Sequence, residues 1–190
     1  MHSNTNSIES KLQQFRLSTK EYIHELKESL VHLTEQQTAY ISFFTYSFNI
    51  AHHLQTDNIC LASYHIQNIG DHPITNPEIV LTLSDECPFS FHGKYMNAGS
   101  NFPSKLKDGW VRLNDPANVK EYRLKTAEGT DLLPGGTLTF PAFQIIWKPS
   151  ADYSGSVTGI TYSDQVNEGI ASLNAIHITG TLSIEEDFDE

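Results

Sequence analysis

The stretch 59–68, which reads ICLASYHIQN, decides the fold class of this chain. Large and small residues alternate along it, and successive side chains of a β-strand point to opposite faces. The pattern therefore predicts a strand with one buried face and one open face. The predicted buried set is Cys60, Ala62, Tyr64 and Ile66, and the predicted outward set is Leu61, Ser63, His65 and Gln67.

The same period of two recurs along most of the chain after residue 39. It predicts further strands at 40–50, 79–83, 89–91, 110–113, 122–124, 137–148, 153–163 and 170–184. Turn signals separate them, among them Leu132-Leu133-Pro134-Gly135-Gly136, where Pro presets φ and Gly accepts a positive φ. Pro141 predicts an edge or a bulge, and 93–106 reads as the longest loop. Eight or nine strands with no helical pattern between them predict a mainly β fold, an antiparallel Ig-like β-sandwich.

The sequence before residue 39 has a different period. Its apolar residues recur at three- and four-residue spacings with polar residues between, as in the a/d stripe of a coiled coil, and a four-residue stutter passes through Thr19. We predict a long N-terminal α-helix over 7–38 that meets a second copy of the chain or a partner helix. Folding back along its own sandwich is the alternative. The stripe consists of Ile8, Leu12, Phe15, Ile23, Leu26, Leu30 and Leu33.

The predicted organisation is thus a frayed N-terminus at 1–6, a coiled-coil helix at 7–38, a sandwich at 40–184 and an acidic tail at 185–190. The charges next to the helical stripe do not specify whether paired helices run parallel or antiparallel. The tail reads as a solvated end, as runs of like charge usually are, and a partner-binding tail is the alternative.

Two segments of the predicted sandwich resemble a known family. The string Tyr64-His65-Ile66-Gln67-Asn68-Ile69-Gly70-Asp71 resembles the "Y-x-I-x-N-x-G" strand and turn of bacterial Ig-like modules of the CARDB-like group. Leu133-Pro134-Gly135-Gly136, followed by Phe140, Trp147, Pro149 and Gly155, is similar to the second half of those modules. The resemblance implies a sandwich with a binding or assembly role and carries no catalytic residue. Modules of that group are usually exported, whereas this sequence shows no signal.

Charge and composition exclude several classes of protein. A net charge of −11 argues against nucleic acid and against anionic membrane surfaces, both of which attract clustered Lys and Arg. No apolar run is long enough to insert in a membrane. With no secretory signal at the N-terminus, we expect a cytoplasmic protein, with a virion or spore surface as the other location. In a reducing compartment, Cys60 and Cys87 are expected to be free core thiols, although a bridge between neighbouring strands stays open.

The sequence offers little for chemistry. His52 and His53 are adjacent in a strand and so point to opposite faces, and no HxH, HExxH or CxxC spacing occurs. The string Gly155-Ser156-Val157-Thr158-Gly159 has Val where a nucleophile elbow needs Ser. We therefore predict no enzyme activity, no metal and no cofactor.

The remaining candidates for function are aromatic side chains. Trp147 alternates with other large residues and reads as core, whereas Trp110, near Tyr95 and Phe102, is the candidate for a surface contact. Core under the loop is the alternative for Trp110. The leading interpretation is a non-enzymatic structural or assembly protein that oligomerises or docks a partner through its helix and presents the sandwich for protein contacts. The alternative is a carbohydrate-binding module.

Overall fold

A computed structural model describes residues 11, 13–25, 27, 40–51, 56–98, 109–126 and 130–181. The chain divides into two compact units, Met1–Thr38 and Ala39–Glu190. In the first unit, residues 13–25 form one helix, α1, with residues 11 and 27 also helical. The rest of the predicted span 7–38 lies outside the described residues, as do 1–6 and 185–190. The structure thus shows a short helix, and the coiled coil stays a prediction.

The described residues of the second unit form eleven strands in two sheets, so the mainly β fold is confirmed. The smaller sheet has the strand order β1-β2-β8-β4. The larger has the order β10-β9-β3-β7-β6-β5, with β11 also paired to β9. The strands are β1 (Tyr40–Asn49), β2 (Asn58–Asn68), β3 (Glu78–Leu83), β4 (Ser90–His92), β5 (Tyr95–Asn97), β6 (Trp110–Arg112), β7 (Glu121–Thr126), β8 (Thr137–Trp147), β9 (Tyr153–Ser163), β10 (Val166–Ala171) and β11 (Ile176–Gly180).

Three details differ from the sequence prediction. The predicted strand 170–184 is two strands, because the chain leaves β10 at Ala171 and rejoins β9 only at Ile176. The predicted loop 93–106 contains β5, while 99–108 lie outside the described residues. β5 pairs with β6 in parallel, so the sandwich is antiparallel except at this pair.

The core lies between the two sheets and is rich in aromatic rings. Phe140, Phe143 and Trp147 of β8 are fully buried or nearly so. Phe91 stacks on Phe143 with ring centroids 5.0 Å apart. Aromatic pairs of this kind stabilise a core beyond the area they bury.

A buried polar network also joins the sheets. The Tyr64 hydroxyl of β2 donates to Ser42 Oγ of β1 at 2.8 Å and lies 2.9 Å from Thr161 Oγ1 of β9. The Tyr40 hydroxyl donates to the Thr161 carbonyl at 3.0 Å. Burial raises the pKa of both phenols. Beside the network, a Cβ added to Gly159 would lie 2.3 Å from the Tyr64 ring, so only glycine fits there.

Two turn predictions are confirmed. Gly135 has φ of +73°, and the Gly136 N–H donates to the Leu133 carbonyl at 2.9 Å, which is the Pro-Gly turn expected before β8. Next to Pro141, the register between β2 and β8 shifts at Ala62/Tyr64 and Ala142 adopts a φ of +50°. Pro141 therefore marks a bulge within an inner strand.

The cysteines of the sandwich are both free and buried, which confirms the expected core thiols. Within the part of the chain that the structure describes, no helix has the length and apolar character needed to cross a bilayer.

Candidate functional site: the outer face and free edge of the four-stranded sheet

The smaller sheet, β1-β2-β8-β4, contains no Asp, Glu, Lys or Arg in any of its strands. The chain as a whole carries 23 acidic and 12 basic residues, so this sheet departs from the rest. Its outer face is not simply polar either, because Leu61 is 44% exposed and four further apolar side chains are half-buried. These half-buried side chains are Ile41, Phe43, Ile59 and Ile146.

His65 lies at the middle of this outer face and joins three strands. Its Nε2 is 2.8 Å from Thr45 Oγ1 of β1, and its Nδ1 is 3.0 Å from Thr139 Oγ1 of β8. The Phe43 ring stacks on the imidazole with centroids 5.1 Å apart. Burial lowers the pKa of His65, so the ring is neutral at pH 7. The centre of the face is therefore an uncharged, hydrogen-bonded platform.

The free edge of β1 is the second part of the site. Leu173 N–H donates to the Ser42 carbonyl at 2.8 Å. The Asn174 side chain accepts from Phe44 N–H at 2.7 Å and donates to the Phe44 carbonyl at 3.0 Å. The backbone groups of Ser42 and Phe44 thus point away from β2, towards the edge. By the alternation of a strand, those of Tyr46 and Phe48 point the same way.

At Tyr46 and Phe48, the core-facing side chains of β1 are no longer buried. Tyr40 and Phe44, on the same side, are 0% and 3% exposed, whereas Tyr46 and Phe48 are each 42% exposed. The two exposed rings contact each other edge to face, with centroids 5.3 Å apart. The half of β1 after Phe44 therefore offers open backbone groups and two open rings together.

A shallow groove of about 320 Å³ lies on the larger sheet, at the ends of β9 and β11. Its polar side chains bond to one another or to nearby backbone: Ser156 N–H donates to Ser84 Oγ at 3.0 Å, and Ser154 Oγ lies 3.3 Å from Thr179 Oγ1. Glu86 and His177 line it as well. Among the described residues, no cluster of three or more metal-ligating side chains occurs.

The sequence-predicted contact residues of the sandwich lie elsewhere. Trp110 is only 4% exposed and belongs to the core. Its indole N–H donates to the Thr139 carbonyl at 3.1 Å, and its ring meets Phe140 edge to face. Tyr95 is half-buried against the same core. Phe102 lies outside the described residues.

Of the predicted helical stripe, the structure describes Phe15 and Ile23, which are 77% and 51% exposed. Thr19, between them in the stripe, donates its hydroxyl to the Phe15 carbonyl at 2.8 Å. The other stripe residues, Ile8, Leu12, Leu26, Leu30 and Leu33, lie outside the described residues.

The sequence analysis did not single out Tyr46, Phe48 or the uncharged sheet as a site. The signal was present: the strands at 40–49, 58–68 and 137–147 contain no charged residue, in a chain of net charge −11. Edge strands of natural sheets commonly carry Lys or Pro as protection.

No protein-family model matches this chain, and no curated protein matches its sequence. The resemblance to CARDB-like modules therefore stays a prediction. Solved structures do match. One is BslA, a bacterial hydrophobin, at 12% identity and a TM-score of 0.38, covering 77% of this chain and 97% of that one.

Two further matching structures are described as modules. One is a cohesin module from a Clostridium perfringens family 33 glycoside hydrolase, at 9% identity, TM-score 0.37, 75% of this chain and 96% of that one. The other is a family 3b carbohydrate-binding module from Clostridium clariflavum, at 13% identity and a TM-score of 0.32, covering 70% of this chain and 97% of that one. With TM-scores below 0.5, none of these likenesses establishes a function for this chain.

Proposed function

We propose that this chain is a non-enzymatic assembly protein whose copies associate through protein contacts. The observation that carries the proposal is the charge-free four-stranded sheet. Copies with a net charge of −11 repel one another, so a contact between them is favoured where neither copy presents a charge. A protein surface that is uncharged and partly apolar is also the composition of an interface core.

The N-terminal helix is the second contact element in this proposal. Phe15 and Ile23 are apolar, exposed and eight residues apart on a helix, about 80° apart around its axis, which places both within one apolar face. A helix with so narrow an apolar stripe is stabilised by a second helix. In the assembly, a helix from another copy or a partner protein covers the stripe.

Light scattering of the full chain over a range of micromolar concentrations tests the proposal. We expect a mass above the 21.3 kDa of one chain, and we expect Leu61→Glu, on the uncharged face, to lower it. Thr158→Glu is the matched control, since Thr158 is exposed on the larger sheet. A monomer mass at every concentration would overturn the proposal.

Carbohydrate binding is the second candidate function. The outer face of the four-stranded sheet favours it, because the half-buried Phe43 ring stacks on His65, whose two ring nitrogens contact the hydroxyls of Thr45 and Thr139. An uncharged sugar would stack on such a ring and bond to the hydroxyls. Calorimetric titration with neutral oligosaccharides tests this role: Phe43→Ala would abolish the heat of binding and Tyr46→Ala would leave it. Trp110→Ala is not a suitable probe, since Trp110 is core.

A further inference from the structure

The edge of β1 after Phe44 lacks the protection that the other sheet edges have. Natural sheets protect their edges with short strands, bulges, charges or covering loops. Among the described residues, β4 and β5 are three residues long and β11 is five. β10 carries Glu168 and a register shift at the left-handed Gly169. The first half of β1 is covered by Leu173 and Asn174.

The open segment runs from Thr45 to Ile50. Its outward backbone groups, at Tyr46 and Phe48, point to the free edge, and its side chains carry no charge. Tyr46, Phe48 and Ile50 are 42%, 42% and 37% exposed. A strand that is extended, apolar and unprotected is the kind of edge to which another strand adds.

The lack of charge on this edge suits a second copy of the chain as its occupant. A strand from another protein could not be recognised here by opposite charge, because the edge carries no charged side chain. A second copy of the same segment meets the edge without placing like charges opposite each other, although the rest of the two chains repels. Antiparallel pairing of the segment with itself also places aromatic rings of both copies on one side, where they form cross-strand pairs.

We infer that β1 pairs antiparallel with β1 of a second copy through the segment 45–50, joining two four-stranded sheets into one. The inference rests on the proposed self-association and adds the edge of the same sheet as one surface that performs it. The Asn174 side chain already bonds the N–H and carbonyl of Phe44. Two registers pair both Tyr46 and Phe48 with the second copy without using those groups of Phe44. In one, Ser47 lies opposite its own counterpart, and in the other Phe48 does. Both place the outward groups of Tyr46 and Phe48 in interchain hydrogen bonds.

The pairing closes on itself. A two-fold contact uses the same surface on both copies. Once two β1 edges are paired, neither copy has a free β1 edge for a third. The association through β1 is therefore a dimer.

Amide hydrogen exchange of the full chain, measured by NMR, tests the pairing at single residues. Ser47 N–H points to β2 and is protected within one copy, whereas Tyr46 and Phe48 N–H are protected only by a second strand. We expect Tyr46 and Phe48 to exchange at least tenfold more slowly when the protein concentration is raised from low to high micromolar, with Ser47 unchanged. Fast exchange at both residues at every concentration overturns the pairing. Protection that does not change with the chain's own concentration also overturns it, since the occupant is then not a second copy.

Cysteine substitution gives an independent test. Residues opposite each other in an antiparallel pair have Cα atoms about 4.5–5.5 Å apart, within the range a disulfide spans. We expect either Ser47→Cys or Phe48→Cys to form an interchain disulfide under mild oxidation, with the linked peptide identified by mass spectrometry. Thr158→Cys is the matched control, on an exposed inner position of the other sheet. Linkage of both edge variants at no more than the control level contradicts the inference.

The failure of the edge pairing differs from the failure of the proposed function. A chain that scatters as an oligomer but shows neither slowed exchange nor edge disulfides still self-associates, by another surface. A chain that scatters as a monomer throughout removes both.

Discussion

The two sheets of the sandwich share one core and present opposite surfaces. The larger sheet carries charged residues on its outer face, and three of them interact: Glu78 lies opposite Lys125 and forms an ion pair with Arg123. The smaller sheet presents no charge. The core constrains only the inward residues of a strand, so the outward residues of each sheet are free to differ. The difference therefore lies in the outward residues, and the assembly proposed above uses the uncharged sheet.

Breaking the joint between the sheets is expected to have the largest effect. Gly159 of the larger sheet lies under the Tyr64 ring of the smaller one, where a Cβ would come within 2.3 Å. The ring cannot move aside, because its hydroxyl is held in the buried network. Gly159→Ala should lower the free energy of unfolding by about 3 kcal/mol, measured by urea unfolding. Ser154→Ala, on the same strand but exposed, is the control, and an equal small loss in both variants would contradict the close packing.

Alkaline pH should act mainly through the smaller sheet, since it holds Cys60, Tyr64 and Tyr40. Burial raises the pKa of the Cys60 thiol to about 11, above its value of about 8.5 in an unfolded chain. Between these values the unfolded chain releases its proton first, so stability is intact below about pH 8.5 and falls towards pH 11. We expect a loss on the order of 2 kcal/mol over that window. Cys60→Ala should flatten the slope of stability against pH, and an unchanged slope would show that another group is responsible.

Removing one hydroxyl from the network should have a moderate effect. Tyr64→Phe leaves Ser42 Oγ and Thr161 Oγ1 buried without the phenol that bridges the sheets. The expected loss of stability is about 1–2 kcal/mol, read from the denaturant midpoint at constant slope. Tyr46→Phe, at the exposed end of β1, serves as the control and should change little.

Acidic pH should have the smallest effect, and one contribution to it comes from a turn of the larger sheet. Hydrogen bonds from Asn76 Nδ2 at 2.6 Å and Thr75 Oγ1 at 2.9 Å lower the pKa of Asp164, in the turn between β9 and β10. A carboxylate with a lowered pKa stabilises the fold above its unfolded value of about 3.9, and this contribution is lost as the pH falls through the lower folded value. Asp164→Asn should make thermal unfolding less dependent on pH below 4. If the variant and the wild type keep the same dependence, the carboxylate does not contribute.

The alternating pattern made most of the sandwich predictable. Residues 59–68 and 153–163 coincide with β2 and β9 to within one residue. In a strand with one buried face, a shift of one residue would turn every buried side chain to the solvent, so the pattern fixes which residues face the core. The break between β10 and β11 was missed. Ser172-Leu173-Asn174 contains neither Gly nor Pro, and its position depends on contacts with β1 that lie far away in sequence.

The candidate site was less predictable for a related reason. Tyr46 and Phe48 have the same parity as the buried Tyr40 and Phe44, so the pattern assigns all four to the core. Whether a core-facing side chain is covered depends on how far the opposite sheet extends, which sequence periodicity does not report. For Trp110, beside a loop, the sequence left surface contact and core under the loop both open, and the residue is buried.

Asn174 affects how far an added strand can extend along the edge of β1. Its side-chain amide accepts a hydrogen bond from the Phe44 N–H and donates one to the Phe44 carbonyl, as a neighbouring strand would. One amide side chain therefore limits how long an added strand can grow along this edge. Without it, the open length would extend back to Phe44 in a segment of high β-propensity and no charge, which is the composition of fibril-forming sequences. The residue thus covers one more backbone position of this edge.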